Sequence, residues 1–135
     1  MQYVFAILAA FHIVPAVFWA GTTFALARSG GAGAEVLAPQ QLGAATVAIL
    51  AGLALMYFLH SGAFGNFELA LGVGALCAIA AAGVQSGMGM PALRRAARAS
   101  GAEAPLLKER FVRAQRIAAG LLAITVICMA VGRFI

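Results

Sequence analysis

The stretch "AAFHIVPAVFWAGTTFALAR", from Ala9 to Arg28, decides the fold of this chain. Only its last residue is charged, and the charge-free run to which it belongs extends back to Met1. A helix that crosses a membrane needs about 20 consecutive, mainly apolar residues. The stretch therefore predicts a membrane-spanning helix. His12 needs a partner inside it, because an unpartnered polar group in hydrocarbon costs several kcal/mol.

The composition of the whole chain indicates an integral membrane protein. Its 135 residues are 64% hydrophobic and only 10% charged, whereas soluble domains carry about 25% charged residues. Further apolar runs free of charge lie at 36–67, 69–93 and 117–132. We predict a single all-α domain over 1–135, an integral membrane four-helix bundle with helices at about 3–27, 42–63, 66–90 and 108–134.

The three connections between these helices differ in length and charge. The first, "SGGAGAEVLAPQ" at 29–40, is rich in glycine and contains Pro39, which indicates a loop. The second, "SGAFGN" at 61–66, is so short that helices two and three must form an antiparallel hairpin. The third, from Pro91 to Pro105, is the longest and is strongly charged.

The distribution of lysine and arginine predicts the orientation in the membrane. Eight of the nine such side chains lie in or beside the first and third connections, and only Arg133 lies on the other side. Cytoplasmic loops carry the excess of positive charge, so both termini are expected on the outer side, most simply of a bacterial inner membrane. An anionic lipid surface then explains the net charge of +5, and no nucleic-acid partner is expected.

The polar residues of the first helix share one face. Trp19 and Thr23 follow His12 at helical spacings that return to the same side. Pro15 removes a backbone hydrogen bond next to His12 and is expected to bend the helix. This face should therefore point into the bundle.

A second histidine, His60, lies near the outer end of the second helix, and His12 lies about 13 Å from the outer end of the first. Imidazole is a common axial ligand of haem iron, so the two could bind a haem b from opposite sides, with Trp19, Tyr57 and Thr23 as further cofactor contacts. Each residue also has a simpler interpretation. A histidine can bond to a neighbouring helix, and Trp19 and Tyr57 can serve packing or the interfacial aromatic belt.

Three further side chains could take part in a site. Glu68 opens the third helix, either as a solvated carboxylate at a helix N-terminus or as a proton acceptor and a partner that orients His60. Gln85 lies deeper in the same helix and can bond across helices. Met88 and Met90 could bind copper(I), although methionines also commonly fill gaps in packing.

The motif "FHIVPAVFWAG", followed by Arg28, resembles the HemJ-type protoporphyrinogen oxidases and their CopD-like relatives, a family of four-helix membrane haem proteins. The matching residues here are His12, Trp19 and Gly21. The later segments "PALRRAARAS" and "RFVRAQRIAAGLLAITVICMAVGRFI" resemble that family's basic loop and final helix. The resemblance implies a haem bound at His12. In place of the lysine that the family carries early in its third helix, this chain has Glu68, so we expect little protoporphyrinogen oxidation.

Three functional hypotheses follow from the sequence. The first is a membrane haem protein, an oxidoreductase or electron carrier that passes electrons to a quinone or oxidises a porphyrin precursor. The second is a transporter for copper or a small cation. The third is a non-catalytic membrane assembly subunit whose polar residues only pack helices. A homo-oligomer is compatible with all three.

Overall fold

A computed structural model describes every residue from Met1 to Ile135, and its only regular elements are helices. They are α1 (Gln2–Ser29), α2 (Ala34–Leu59), α3 (Asn66–Val84), a π-helical turn (Gln85–Gly89), α4 (Met90–Ala96) and α5 (Glu103–Gly132). Because α3, the π turn and α4 form one continuous span, the chain has four helices that are long and apolar enough to cross a membrane. The predicted all-α fold with four such helices is confirmed.

The predicted boundary between the first two helices is wrong. α2 begins at Ala34 rather than at 42, so Pro39 lies inside the helix and not in a loop. The chain reverses within a few residues instead, since Gly30, Gly31 and Gly33 all adopt positive φ, which glycine tolerates best. The early start of α2 buries one face of its first turns, and this packing outweighs the hydrogen bond that Pro39 cannot make.

The third span is also longer than predicted. It continues through Pro91 to Ala96. The π turn places Pro91 in the first turn of α4, where a residue without a backbone N–H is tolerated. Two other ends shift by a few residues: α2 stops at Leu59, and α5 starts at Glu103. The third connection is accordingly short.

The four spans alternate in direction, which gives the bundle two distinct ends. At one end, Gly31 after α1 lies against Phe111 near the start of α5. We call it the basic end, since it carries all lysines and arginines except Arg133. At the other end, Gly132 of α5 packs on Phe67 of α3. This terminal end holds both chain termini and the loop between α2 and α3.

Packing is uneven along the bundle. One buried cluster fills the basic end and a second fills the middle, where Trp19 packs with alanines from α2, α3 and α5. From there to the terminal end only Ala51, Gly74 and Gly132 are buried. Side chains of α1 in this half, such as Phe5 and Leu8, are at most half-buried. The terminal half is therefore the more loosely packed part of the bundle.

Candidate functional site

Four fully buried polar side chains form a layer across the bundle between the two buried clusters. They are Thr23, Gln41, Gln85 and Gln115, each at most 1% exposed. Each comes from a different span, with Gln85 supplied by the π turn. We call these four residues the glutamine layer. They are the only polar or charged residues that the bundle buries completely.

The glutamine layer is connected internally by hydrogen bonds. Gln85 Nε2 donates to Thr23 Oγ1 at 2.9 Å and to Gln115 Oε1 at 3.1 Å. Gln41 Nε2 donates to Thr23 Oγ1 at 2.9 Å and to Gln115 Oε1 at 3.2 Å, and Gln115 Nε2 donates back to Gln41 Oε1 at 3.1 Å. No buried side-chain nitrogen or oxygen is left without a partner. Such a satisfied network fixes the helices relative to one another.

Two residues that the sequence proposes as cofactor contacts take part in this network: Thr23 as a member of the layer and Trp19 as its neighbour. Trp19 Nε1 donates to Gln85 Oε1 at 2.7 Å, and Thr23 Oγ1 donates to the Trp19 carbonyl at 2.7 Å. The inward placement of Trp19 and Thr23 and the cross-helix bond of Gln85 thus agree with the sequence. The polar atoms of Trp19 and Thr23 serve helix packing in this arrangement.

Sequence reasoning missed Gln41 and Gln115. Gln41 directly follows the segment that the sequence predicts as a loop, and Gln115 lies among arginines. A usable signal existed for Gln115: it follows Phe111 by one helical turn and precedes Ala118 by another, so it falls on the apolar face of α5.

His12 is fixed by α2. Its Nδ1 lies 2.7 Å from the Ala48 carbonyl oxygen. Because a carbonyl can only accept, Nδ1 donates, and in the neutral ring the lone pair then resides on Nε2. Gly52 permits this close approach, since a Cβ there would lie 2.8 Å from His12 Cε1. Nε2 makes no hydrogen bond, and no unpartnered nitrogen is buried. It therefore opens to the molecular surface in the loosely packed half.

His60 belongs to a separate cluster at the terminal end. Its ring centroid lies 4.7 Å from that of Phe64, and its Nδ1 lies 3.9 Å from Glu68 Oε1, too far for a hydrogen bond. Glu68 Oε2 instead accepts the Gly65 N–H at 2.8 Å and caps α3. Tyr57 is 80% exposed and touches only Phe58 edge-on among aromatic rings.

The structure does not bring the two histidines together. His12 bonds to Ala48, and the helical rise from Ala48 to His60 is about 18 Å. Two nitrogens on opposite sides of one metal ion lie roughly 4 Å apart, twice the usual metal–nitrogen distance. The residues present therefore do not fit a haem held between His12 and His60.

The methionines are also placed apart. Met90 is buried in the basic-end cluster, whereas Met88 lines a surface cleft of about 410 Å³ with Leu106, Glu109, Arg110 and Arg113. No group of three or more histidine, cysteine, aspartate or glutamate side chains is arranged to hold a metal ion. No protein-family model, curated protein or solved structure matches the chain.

Proposed function

We propose that this protein is an integral protein of the bacterial inner membrane that binds a haem b through His12 and acts in electron transfer or oxidoreduction. The observation that carries the proposal is the state of the His12 ring. Its Nδ1 is held by the Ala48 carbonyl, while its Nε2 keeps a free lone pair at the surface.

This arrangement is typical of a histidine that serves as an axial ligand. Histidines that bind metals usually donate their other ring N–H to a carbonyl or carboxylate, which fixes both the tautomer and the orientation of the ring. An imidazole with an unused nitrogen in the apolar part of a membrane is also costly, which favours a partner for Nε2. The role of Ala48 and Gly52 is then to hold the ring and let α2 approach it.

The looser packing of α1 near His12 is compatible with a ligand bound at this ring. The glutamine layer and its clusters pack the basic half tightly, whereas the α1 side chains next to His12, such as Leu8 and Pro15, are only half-buried. A bound haem would supply one-electron redox chemistry, and a quinone or porphyrin from the lipid phase would be its reaction partner. The chain's own residues would bind the iron, orient the ring and exclude water.

The sidedness follows from charge. With the basic end in the cytoplasm, as the excess of lysine and arginine there favours, His12 lies in the outer half of the membrane. Arg94, Arg95 and Arg98 would then lie far from the haem and would not pair with its propionates.

A second candidate function is a non-catalytic assembly subunit. It is favoured by one observation: His12 already has a partner in the Ala48 carbonyl, so the residue could serve the contact between α1 and α2 alone. This function requires no cofactor.

An absorption spectrum of the detergent-purified protein, first oxidised and then reduced with dithionite, separates the two functions. We expect a Soret band that corresponds to about one haem per chain. The reduced form should bind carbon monoxide, because His60 does not occupy the second axial position. His12→Ala should lower the haem content at least about tenfold. His60→Ala is the matched control and should keep its haem. A colourless protein from haem-replete cells, with His12→Ala as stable as the wild type, would refute the proposal and leave the assembly function.

A further inference from the structure

We infer that the basic end carries a binding site for one anionic phospholipid, in the cleft between the π turn and α5. The cleft has a volume of about 410 Å³ and is lined by Met88, Leu106, Glu109, Arg110 and Arg113. This inference does not depend on haem binding.

The two arginines of the cleft lack protein partners. Arg110 and Arg113 lie three residues apart and so share a face of α5, and neither has a carboxylate oxygen within 4.0 Å. The only ion pair at this end joins Arg95 to Glu103, at 3.9 Å between exposed groups. Glu109 also lines the cleft, which leaves it with one excess positive charge. Two neighbouring guanidinium groups are well suited to a phosphate, which they can bind with several charge-assisted hydrogen bonds.

The same face of α5 offers a surface for an acyl chain. Towards the terminal end it presents Ile117 and Ile124, which are 44% and 45% exposed. Between them lies Gly120, where a Cβ would meet no atom within 4 Å. The rise from Arg113 to Ile124 is about 16 Å, close to the thickness of one leaflet's hydrocarbon. Charge at one end and an apolar strip of this length select a membrane phospholipid over a free phosphate or an acidic peptide.

A second cleft on the same end provides an internal comparison. It is lined by Glu35 and Lys108 with alanines, Leu93 and Pro105. The charges of Glu35 and Lys108 cancel, so this cleft is not expected to bind an anionic headgroup in preference to a neutral one. Charge complementarity therefore assigns the site to the cleft of Arg110 and Arg113.

The test is native mass spectrometry of the full chain in detergent, titrated with phosphatidylglycerol or phosphatidylcholine. The variant is Arg110→Gln with Arg113→Gln. The control, Arg94→Gln with Arg98→Gln, removes the same charge from exposed positions outside the cleft. We expect one phosphatidylglycerol to bind in preference to phosphatidylcholine, about tenfold weaker binding in the cleft variant, and less than about twofold weakening in the control.

Three outcomes would overturn the inference. Equal loss in both double variants, or no preference between the two lipids, would mean that only the diffuse charge of this end attracts lipid. Competition by glycerol phosphate at the concentration of the lipid would identify a site for a free phosphate instead. Because all four arginines are exposed, unchanged melting of both variants is expected and shows that lost binding is not lost folding.

Discussion

The hydrogen bonds of the glutamine layer are expected to stabilise the bundle, and two adjacent glutamines of α2 allow this expectation to be tested. Gln41 is buried in the layer, whereas its neighbour Gln40 is exposed. Gln41→Leu removes its bonds to Thr23 and Gln115 and leaves Gln115 Nε2 without its acceptor inside the bundle. Gln40→Leu removes no protein hydrogen bond and serves as the control.

The expected loss for Gln41→Leu is about 2 kcal/mol in the free energy of unfolding. An unsatisfied buried donor costs about 1–3 kcal/mol, and side-chain hydrogen bonds between membrane helices contribute about 0.6 kcal/mol each. Losing the Gln41 side chain should therefore cost an amount near the middle of the range of about 1–3 kcal/mol. The ratio of folded to unfolded protein should fall about 30-fold, since each 1.4 kcal/mol is a factor of about ten. Gln40→Leu should change stability by less than about 0.5 kcal/mol.

The assay is reversible unfolding in mixed detergent and dodecyl sulfate micelles, followed by tryptophan fluorescence. Trp19 is the only tryptophan, and its indole N–H donates to Gln85, so the signal reports on the layer itself. If Gln41→Leu were as stable as Gln40→Leu, the layer would not hold the spans together, and the argument from hydrogen-bond satisfaction would be refuted.

Three further predictions concern the His12 contact, the orientation and the activity. Gly52→Ala should weaken the contact between α1 and α2 and lower haem retention, because the new methyl group would lie 2.8 Å from His12 Cε1. The control Gly43→Ala, where the new methyl group meets no atom within 4 Å, should retain haem in the same absorption spectra. A reporter active only outside the cytoplasm should work when fused after Ile135 and fail when inserted at Gly101; the reverse pattern would invert the assigned orientation. Expression in a strain without protoporphyrinogen oxidase should not restore growth, because the Glu68 carboxylate cannot replace the ammonium group of the lysine that the resembled family carries at this place. Restored growth would show that this lysine is dispensable.

The sequence predicts the number and kind of helices well, because four long apolar runs separated by charge leave few other folds. It also predicts that Trp19 and Thr23 point inward, since helical periodicity depends only on residue spacing. It fails at Pro39 and Pro91, which sequence rules place outside helices. Local rules for proline describe isolated helices, whereas here the packing of α2 and a π turn compensate for the missing N–H groups.

The candidate site is less predictable, because it depends on the register between helices. Nothing in one chain's sequence aligns Gln41 with Gln115, or sets His12 beside Ala48 rather than nearer to His60. Register is decided by where alanine and glycine allow two helices to approach, as Gly52 does for His12. The sequence therefore predicts both histidines in the outer half of the membrane at depths close enough for one haem, whereas the structure places them too far apart to share a metal ion.

The uneven packing of the bundle distinguishes its two halves. The basic half contains a satisfied polar layer between two apolar clusters, an arrangement that fixes the spans and leaves no buried polar side-chain atom without a partner. The terminal half has few buried residues and keeps the free imidazole nitrogen of His12 accessible. The proposed haem site at His12 therefore rests on the free Nε2 nitrogen and on the looser packing of this half. If the proposed haem binds at His12, loosening the glutamine layer should lower stability without removing the haem, whereas replacing His12 should remove the haem with little effect on the layer.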